Sequence, residues 1–244
     1  MKKLILDTHS HTVASGHAYG TVLEMAKAAS EAGLELLAIT DHGPKMPGGP
    51  DSMYFCNFKV IDPVLYGVEI LMGVELNIID YRGTVDLDLA LLKKMKLCIA
   101  SLHTVCLTPG TKAENTRALL RAMENPYVNI MGHIDDGHYP MDFEAVIRGA
   151  REAGVLIEIN NSSLVPGGGR INAEENIPKI LRLCEQYGQE VVVNTDSHFP
   201  TSVGKFDEAL AIMESVRFPE ELVVNDRPEL LKDYLKKNRK GGLL

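Results

Sequence analysis

Short apolar runs alternate with amphipathic segments along nearly the whole chain, and this alternation narrows the choice of folds more than any other feature. Runs that are apolar on both faces read as strands of a parallel sheet, and the segments between them as its crossovers. Strands are predicted near Leu4–Asp7, Leu36–Thr40, Ile70–Val74, Leu97–Ser101, Val128–Met131, Val155–Ile159 and Glu190–Val193. Helices are predicted near Val22–Ala32, Leu87–Met95, from Thr111 to about Met123, from Asp142 to about Ala153, and over Ala173–Tyr187, Asp207–Ser215 and Pro228–Lys236. Thr21 with Glu24 and Thr111 with Glu114 have capping-box spacing, Asp142 can N-cap, and Gly33 and Gly154 suit helix ends. A Pro- and Gly-rich loop, Gly43 to Pro50, leads into a poorly patterned stretch to Tyr66 that is read as helical. At 244 residues the chain fits one large α/β domain, its sheet covered by helices or closed into a barrel.

The residues at the strand ends carry the chemistry. Leu4 to Asp7 runs into His9 and His11, whose i, i+2 spacing lets both side chains share one face of an extended strand. His17 lies in the loop beyond. His42 follows the second strand, Glu75 the third, His103 the fourth and His133 the fifth, while Asp196 and His198 follow the seventh. Seven of the eight histidines therefore fall at the edge of a parallel sheet where sites form, and His138 alone falls outside. Nine nitrogen and oxygen donors exceed one four-ligand structural zinc site and fit a cluster of two or three metals.

The formal net charge of −8 argues against nucleic-acid binding through a broad basic surface. Cys56, Cys98, Cys106 and Cys184 form no Cys-x-x-Cys and read as small core residues of a reducing compartment. The start at Met1-Lys2-Lys3 is too short in apolar residues for a signal peptide, and no run approaches bilayer length, so a cytoplasmic protein is expected. Gly167-Gly168-Gly169 lacks the pattern of a phosphate-binding loop.

These motifs in this order resemble the PHP superfamily, named for polymerase and histidinol phosphatase domains, and within it the compact single-domain phosphatases of the YcdX type. The matching segments are Asp7-Thr8-His9-Ser10-His11, His17, Thr40-Asp41-His42, Gly73-Val74-Glu75, Ser101-Leu102-His103, Gly132-His133 and Asp196-Ser197-His198. The resemblance implies a distorted (β/α)7 barrel with a trinuclear centre, usually of zinc, with manganese or iron in some relatives. It assigns His9, His11, Glu75 and Asp196 to a first metal, Glu75 as bridge with His103 and His133 to a second, and His17, His42 and His198 to a third. Asp135, Asp136 and His138 have no counterpart and read as a polar loop.

Three divalent ions less two ligand carboxylates would leave about +4, a centre suited to a dianionic phosphate ester. The mechanism expected is attack on phosphorus by a metal-bound hydroxide, with Glu75 and Asp196 holding the metals. Asp41 would orient a histidine or relay a proton. Lys45, Arg82 and Arg170 lie on the site face and read as surface charge, whereas Asn160 and Asn161 would shape the pocket floor. The substrate class expected is a small phosphate monoester. A histidinol phosphatase, a nuclease or phosphodiesterase, a C–N hydrolase and a metal-binding module without turnover are the alternatives. No membrane partner is expected, and the oligomeric state is not legible.

Overall fold

The computed structural model describes residues 2–237. Strands β1 (Leu6–Asp7), β2 (Leu36–Ile39), β3 (Val64–Leu65) and β4 (Val68–Met72) form one sheet in the order β1-β2-β4-β3, parallel except for β3. Strands β5 (Val74–Asn77), β6 (Cys98–Ser101), β7 (Ile130–Met131), β8 (Leu156–Asn160) and β9 (Val191–Asn194) form a second, wholly parallel sheet in sequence order. Two isolated parallel bridges, His42 to Glu75 and Ser10 to Ser197, lie where the sheets approach each other.

Helices α1 (Val22–Ala32), α3 (Lys112–Met123), α4 (Phe143–Ala153), α5 (Ala173–Tyr187) and α6 (Asp207–Ser215) keep the predicted bounds; α7 (Pro228–Lys237) ends one residue later, and α2 shrinks to Leu89–Leu92. The caps explain the agreement. Thr21 and Thr111 each exchange both capping-box bonds with Glu24 and Glu114, Asp142 accepts from the Ala145 amide, and Gly33 and Gly154 close their helices in the left-handed region.

Two expectations need correction. The third strand is broken: Gly73 separates β4, which pairs with β2, from β5, which pairs with β6. A Cβ at Gly73 would stand 2.3 Å from the Leu97 carbonyl oxygen, so only glycine permits this approach. Glu75 accordingly lies within β5 rather than beyond a strand end. The stretch before Tyr66 is no α-helix, but two short 3-10 turns, Tyr54–Cys56 and Phe58–Val60, followed by the hairpin strand β3.

Strands β2, β4, β6, β7, β8 and β9 divide their apolar residues between two cores, as strands buried on both faces must. Leu37 and Ile39 join the large core under the helices, whereas Leu36 and Ala38 join Leu6, Leu71, Ile99, Ile130, Leu156 and Val192 in a second cluster. Leu231 and Leu235 of α7 pack into that second cluster.

Candidate metal centre

Period-two alternation carries the inner stripe of each strand from apolar to polar toward its carboxyl end. Leu156 is followed on its face by Glu158 and Asn160, Val192 by Asn194, and Ile99 by Ser101. All of these polar residues are buried. The stripe thus ends in a polar pocket that receives the histidines of the following loops. His133 and Asp196 sit there with positive φ, 27° and 51°, backbone strain of the kind that collects at functional sites.

All nine residues predicted to bind metal converge. His9 and His11 bring their Nε2 atoms to 3.0 Å, and Asp196 Oδ1 lies 3.4 and 3.0 Å from them. Glu75 stands between groups. Its Oε1 is 2.9 Å from His133 Nε2 and 3.3 Å from His103 Nε2, while its Oε2 is 2.7 Å from His42 Nδ1 and 3.4 Å from His9 Nε2. His17 Nε2 is 3.3 Å from His42 Nε2 and 3.1 Å from His198 Nε2. Three sets of donors, His9/His11/Asp196, His42/Glu75/His103 and His11/His42/His198, each lie within 4.8 Å of one another. His42 is therefore shared between neighbourhoods, a finer point than the strand-end pattern reveals.

The hydrogen bonds behind the rings show what the pocket requires. His9 Nδ1–H donates to Glu158 Oε1 at 2.7 Å. His11 Nδ1–H donates to Ser15 Oγ at 3.0 Å, because the Ser15 hydroxyl is itself spent on Asp41 Oδ1 at 2.7 Å. His103 Nδ1–H donates to Asn77 Oδ1 at 2.7 Å and His198 Nδ1–H to the Asp196 carbonyl at 3.0 Å. These tautomers follow from the acceptors each ring meets. In the neutral form that metal binding requires, a ring anchored through Nδ1 keeps a lone pair on Nε2: those of His9, His11 and His103 face the Glu75 and Asp196 carboxylates, and that of His198 faces His17 Nε2. His42 Nδ1, Glu75 Oε2 and Asp196 Oδ1 are buried with no hydrogen-bond partner, although His42 Nδ1 and Glu75 Oε2 are only 2.7 Å apart. They face a common space rather than each other, and buried electron pairs without donors demand cations. Imidazole and carboxylate donors without thiolate suit zinc, manganese or iron.

The ionisation of the site states the same demand. Burial opposes charge on His9, but Asp196, Glu158 and Glu75 outweigh it and hold its pKa well above the ordinary value. Burial, then His42 and His198, hold His11 well below it, and His17 is lowered by the same causes. Burial also opposes charge on Glu75 and Asp196; the surrounding histidines, with Arg170 beside Asp196, prevail and keep both carboxyls well below their usual range. Asp7, beneath the site, is pushed up to about 6 by burial.

The remaining candidates separate by what they touch. Asp41 accepts from the Thr12 amide and hydroxyl, from Ser15 Oγ and, at 2.6 Å, from the Tyr54 hydroxyl, so its reach to His11 runs through Ser15. A cavity of about 440 Å³ opens over the cluster, walled by His17, His103, His133, His198, Met46 and Val105 among others. Arg170 lines it as well, with Nη2 2.8 Å from Asp196 Oδ2; the surface-charge reading fails for this residue because its side chain is only 18% exposed. Arg82 is exposed and paired with Asp80, and Lys45 is exposed. Asn160 donates to Glu158 and Asp196, whereas Asn161 accepts from the Ala209 amide of α6. His138 bonds Asp136, and Asp135 is buried rather than part of a surface loop.

Glu158 is the residue that sequence reasoning missed. It accepts from His9, Asn194, Asn160 and the His133 amide. Its signal was a lone carboxylate inside an apolar strand, on the face that Asn160 shares.

Fold and site together define an α/β protein with a multi-donor, cation-demanding centre at the carboxyl ends of parallel strands. A PHP domain model matches residues 7–242, and the chain belongs to that family. It is 47% identical over 238 residues to a probable phosphatase of Clostridium novyi, covering 98% of this chain and 97% of that protein. It is 49% identical over 243 residues to a probable phosphatase of Caldanaerobacter subterraneus, covering 98% and 95%. Its fold is shared by the histidinol phosphate phosphatase of Lactococcus lactis, solved with zinc, L-histidinol and phosphate. That likeness has a TM-score of 0.59 at 17% identity and covers 89% of this chain and 95% of that one. Among the described residues no helix is long and apolar enough to cross a membrane.

Proposed function

We propose that this chain is a metal-dependent phosphatase that hydrolyses small phosphate monoesters, and that it does so as one PHP domain from end to end. The observation that carries the reading is the group of imidazoles His9, His11 and His103, each held through Nδ1, around two carboxylate oxygens buried without a hydrogen-bond partner. In this reading the two sheets are arcs of a distorted (β/α)7 barrel. The two isolated bridges and the inner cluster, which draws a residue from β1, β2, β4, β6, β7, β8 and β9, support it.

His9, His11, Glu75 and Asp196 would hold one ion, Glu75 with His103 and His133 a second, and His17, His42 and His198 a third, with zinc as the ion favoured by the donor set. When bound, such ions supply Lewis acidity to a phosphoryl oxygen and lower the pKa of water. The protein's own part is orientation. Glu158, Ser15 and Asn77 fix three ring tautomers, which keeps the donors aimed without reorganisation. Arg170 is the one Lys or Arg among the cavity's lining residues, and it offers cationic donors to a substrate oxygen. An empty pocket rich in carboxylates repels an anion, so phosphate-ester binding and cation binding must go together. A cavity of this size with a single Lys or Arg on its lining favours a compact monoester over a polynucleotide, which would require a basic track.

The test is turnover of p-nitrophenyl phosphate by zinc-, manganese- and iron-loaded protein. Bis(p-nitrophenyl) phosphate and p-nitroacetanilide serve as diester and C–N controls. Turnover of the monoester above both controls, abolished by a chelator and restored by metal, is expected. Turnover that survives chelation, or preference for either control, would contradict the proposal.

A further inference from the structure

The helix layer is thin on one flank. No α-helix crosses between β2 and β4, and only the four-residue α2 lies between β5 and β6. The two 3-10 turns that stand in for a helix leave a cavity of about 550 Å³ against β4, of the size small-molecule sites have. Its floor and walls are apolar: Phe55, Phe58, Ile61, Ile70 and Met72 line it. Tyr54, Phe55 and Phe58 pack edge to face, with ring centroids 5.1 to 5.7 Å apart, so this wall is formed before any ligand arrives.

The polar edge has one sign. Lys59, Lys94 and Lys96 line the cavity and are exposed; no aspartate or glutamate lines it, and none of the three lysines has an ion-pair partner among the described residues. In a chain of net charge −8 this is a local reversal. An apolar chamber with an all-cationic rim matches one ligand chemistry, an apolar body carrying a single anionic head. We infer that this flank cavity is a second binding site, separate from the metal centre, for a small amphipathic anion. The hydrocarbon part would lie against Phe55, Phe58, Ile70 and Met72, and the head among Lys59, Lys94 and Lys96. Residues of this wall are not among the donors of the metal centre, so the site stands independently of the phosphatase reading.

The probe is decanoate, titrated calorimetrically into metal-loaded protein and followed by the methyl resonance of Met72. Saturable binding is expected, with affinity rising about fourfold per methylene from hexanoate to decanoate as apolar surface is buried. The Met72 resonance should move, and saturating inorganic phosphate should leave binding unchanged because phosphate occupies the other site. The double variant Lys94→Glu/Lys96→Glu, confined to exposed positions, should weaken decanoate about tenfold while p-nitrophenyl phosphate turnover stays at the wild-type level. Four outcomes overturn the inference: no decanoate binding, equal affinity for decylamine, displacement by phosphate, or undiminished affinity in the double variant.

Discussion

The two halves of the same strands face the interior with opposite chemistry. Toward the amino ends, Leu6, Leu36, Ala38, Ile99, Ile130, Leu156 and Val192 pack with Leu231 and Leu235 into a dry cluster. Toward the carboxyl ends the same stripe carries Asn77, Glu158, Asn160 and Asn194, all buried and all hydrogen-bonded to residues of the site or to one another. The lower half removes apolar area from water and stabilises the fold. The upper half buries charge, which costs stability unless something pairs it. A fold tolerates that cost where the buried groups have a cation to hold.

Substitutions can break this contrast. The largest effect is expected from Glu75→Ala, which removes the carboxylate standing between two donor groups. Phosphomonoester turnover should fall on the order of a thousandfold or more, as metal charge stabilisation is lost, and kcat of the variant assayed in excess metal measures it. Leu156→Ala, one turn of the pleat below Glu158, should instead cost about 2–5 kcal/mol of stability, read by denaturant unfolding, with turnover per folded molecule unchanged. Glu158→Gln sits between the two. It keeps the shape but weakens the anchor on His9 Nδ1, and zinc affinity by competition with a chromogenic chelator should drop about 10- to 100-fold.

Acidification gives a smaller, graded effect. His11 is held well below its ordinary pKa when folded, while the unfolded chain takes the proton near 6.5, so stability is lost as pH falls through that value. Glu75 and Asp196, held low, add a further loss as pH falls through about 4 and below. His9 acts in the opposite sense: its raised pKa contributes stability at low pH that is lost as pH rises through the folded value. Protons also compete with metal for every ring. Between pH 7 and pH 5 the Tm of the metal-loaded protein should therefore fall by more than that of the metal-free protein.

Helix positions were legible because their punctuation is local: the Thr21/Glu24 and Thr111/Glu114 boxes and the Gly33 and Gly154 stops act within one turn. The convergence of nine donors was legible for a topological reason, since parallel strands deliver their carboxyl ends to one edge. What escaped depends on partners distant in sequence. Gly73 breaks its strand because of the Leu97 carbonyl, Glu158 matters because of His9, and Arg170 turns in from the surface because Asp196 receives it. The stretch before Tyr66 has neither helical nor strand periodicity, and the 3-10 turns it forms are held by Phe55 in the core and by Tyr54 on Asp41. Asp41 itself was legible as a buried partner of the site, but its link through Ser15 rather than directly to a ring was not.

The central claim is that the upper half of the strands exists to hold cations. Elemental analysis of reloaded, desalted protein tests it most directly, comparing wild type with Glu75→Ala and His138→Ala. About three zinc, manganese or iron ions per chain in wild type and in His138→Ala, and about one or fewer in Glu75→Ala, is the predicted result. Less than one ion per wild-type chain, or a full complement in Glu75→Ala, would contradict the account.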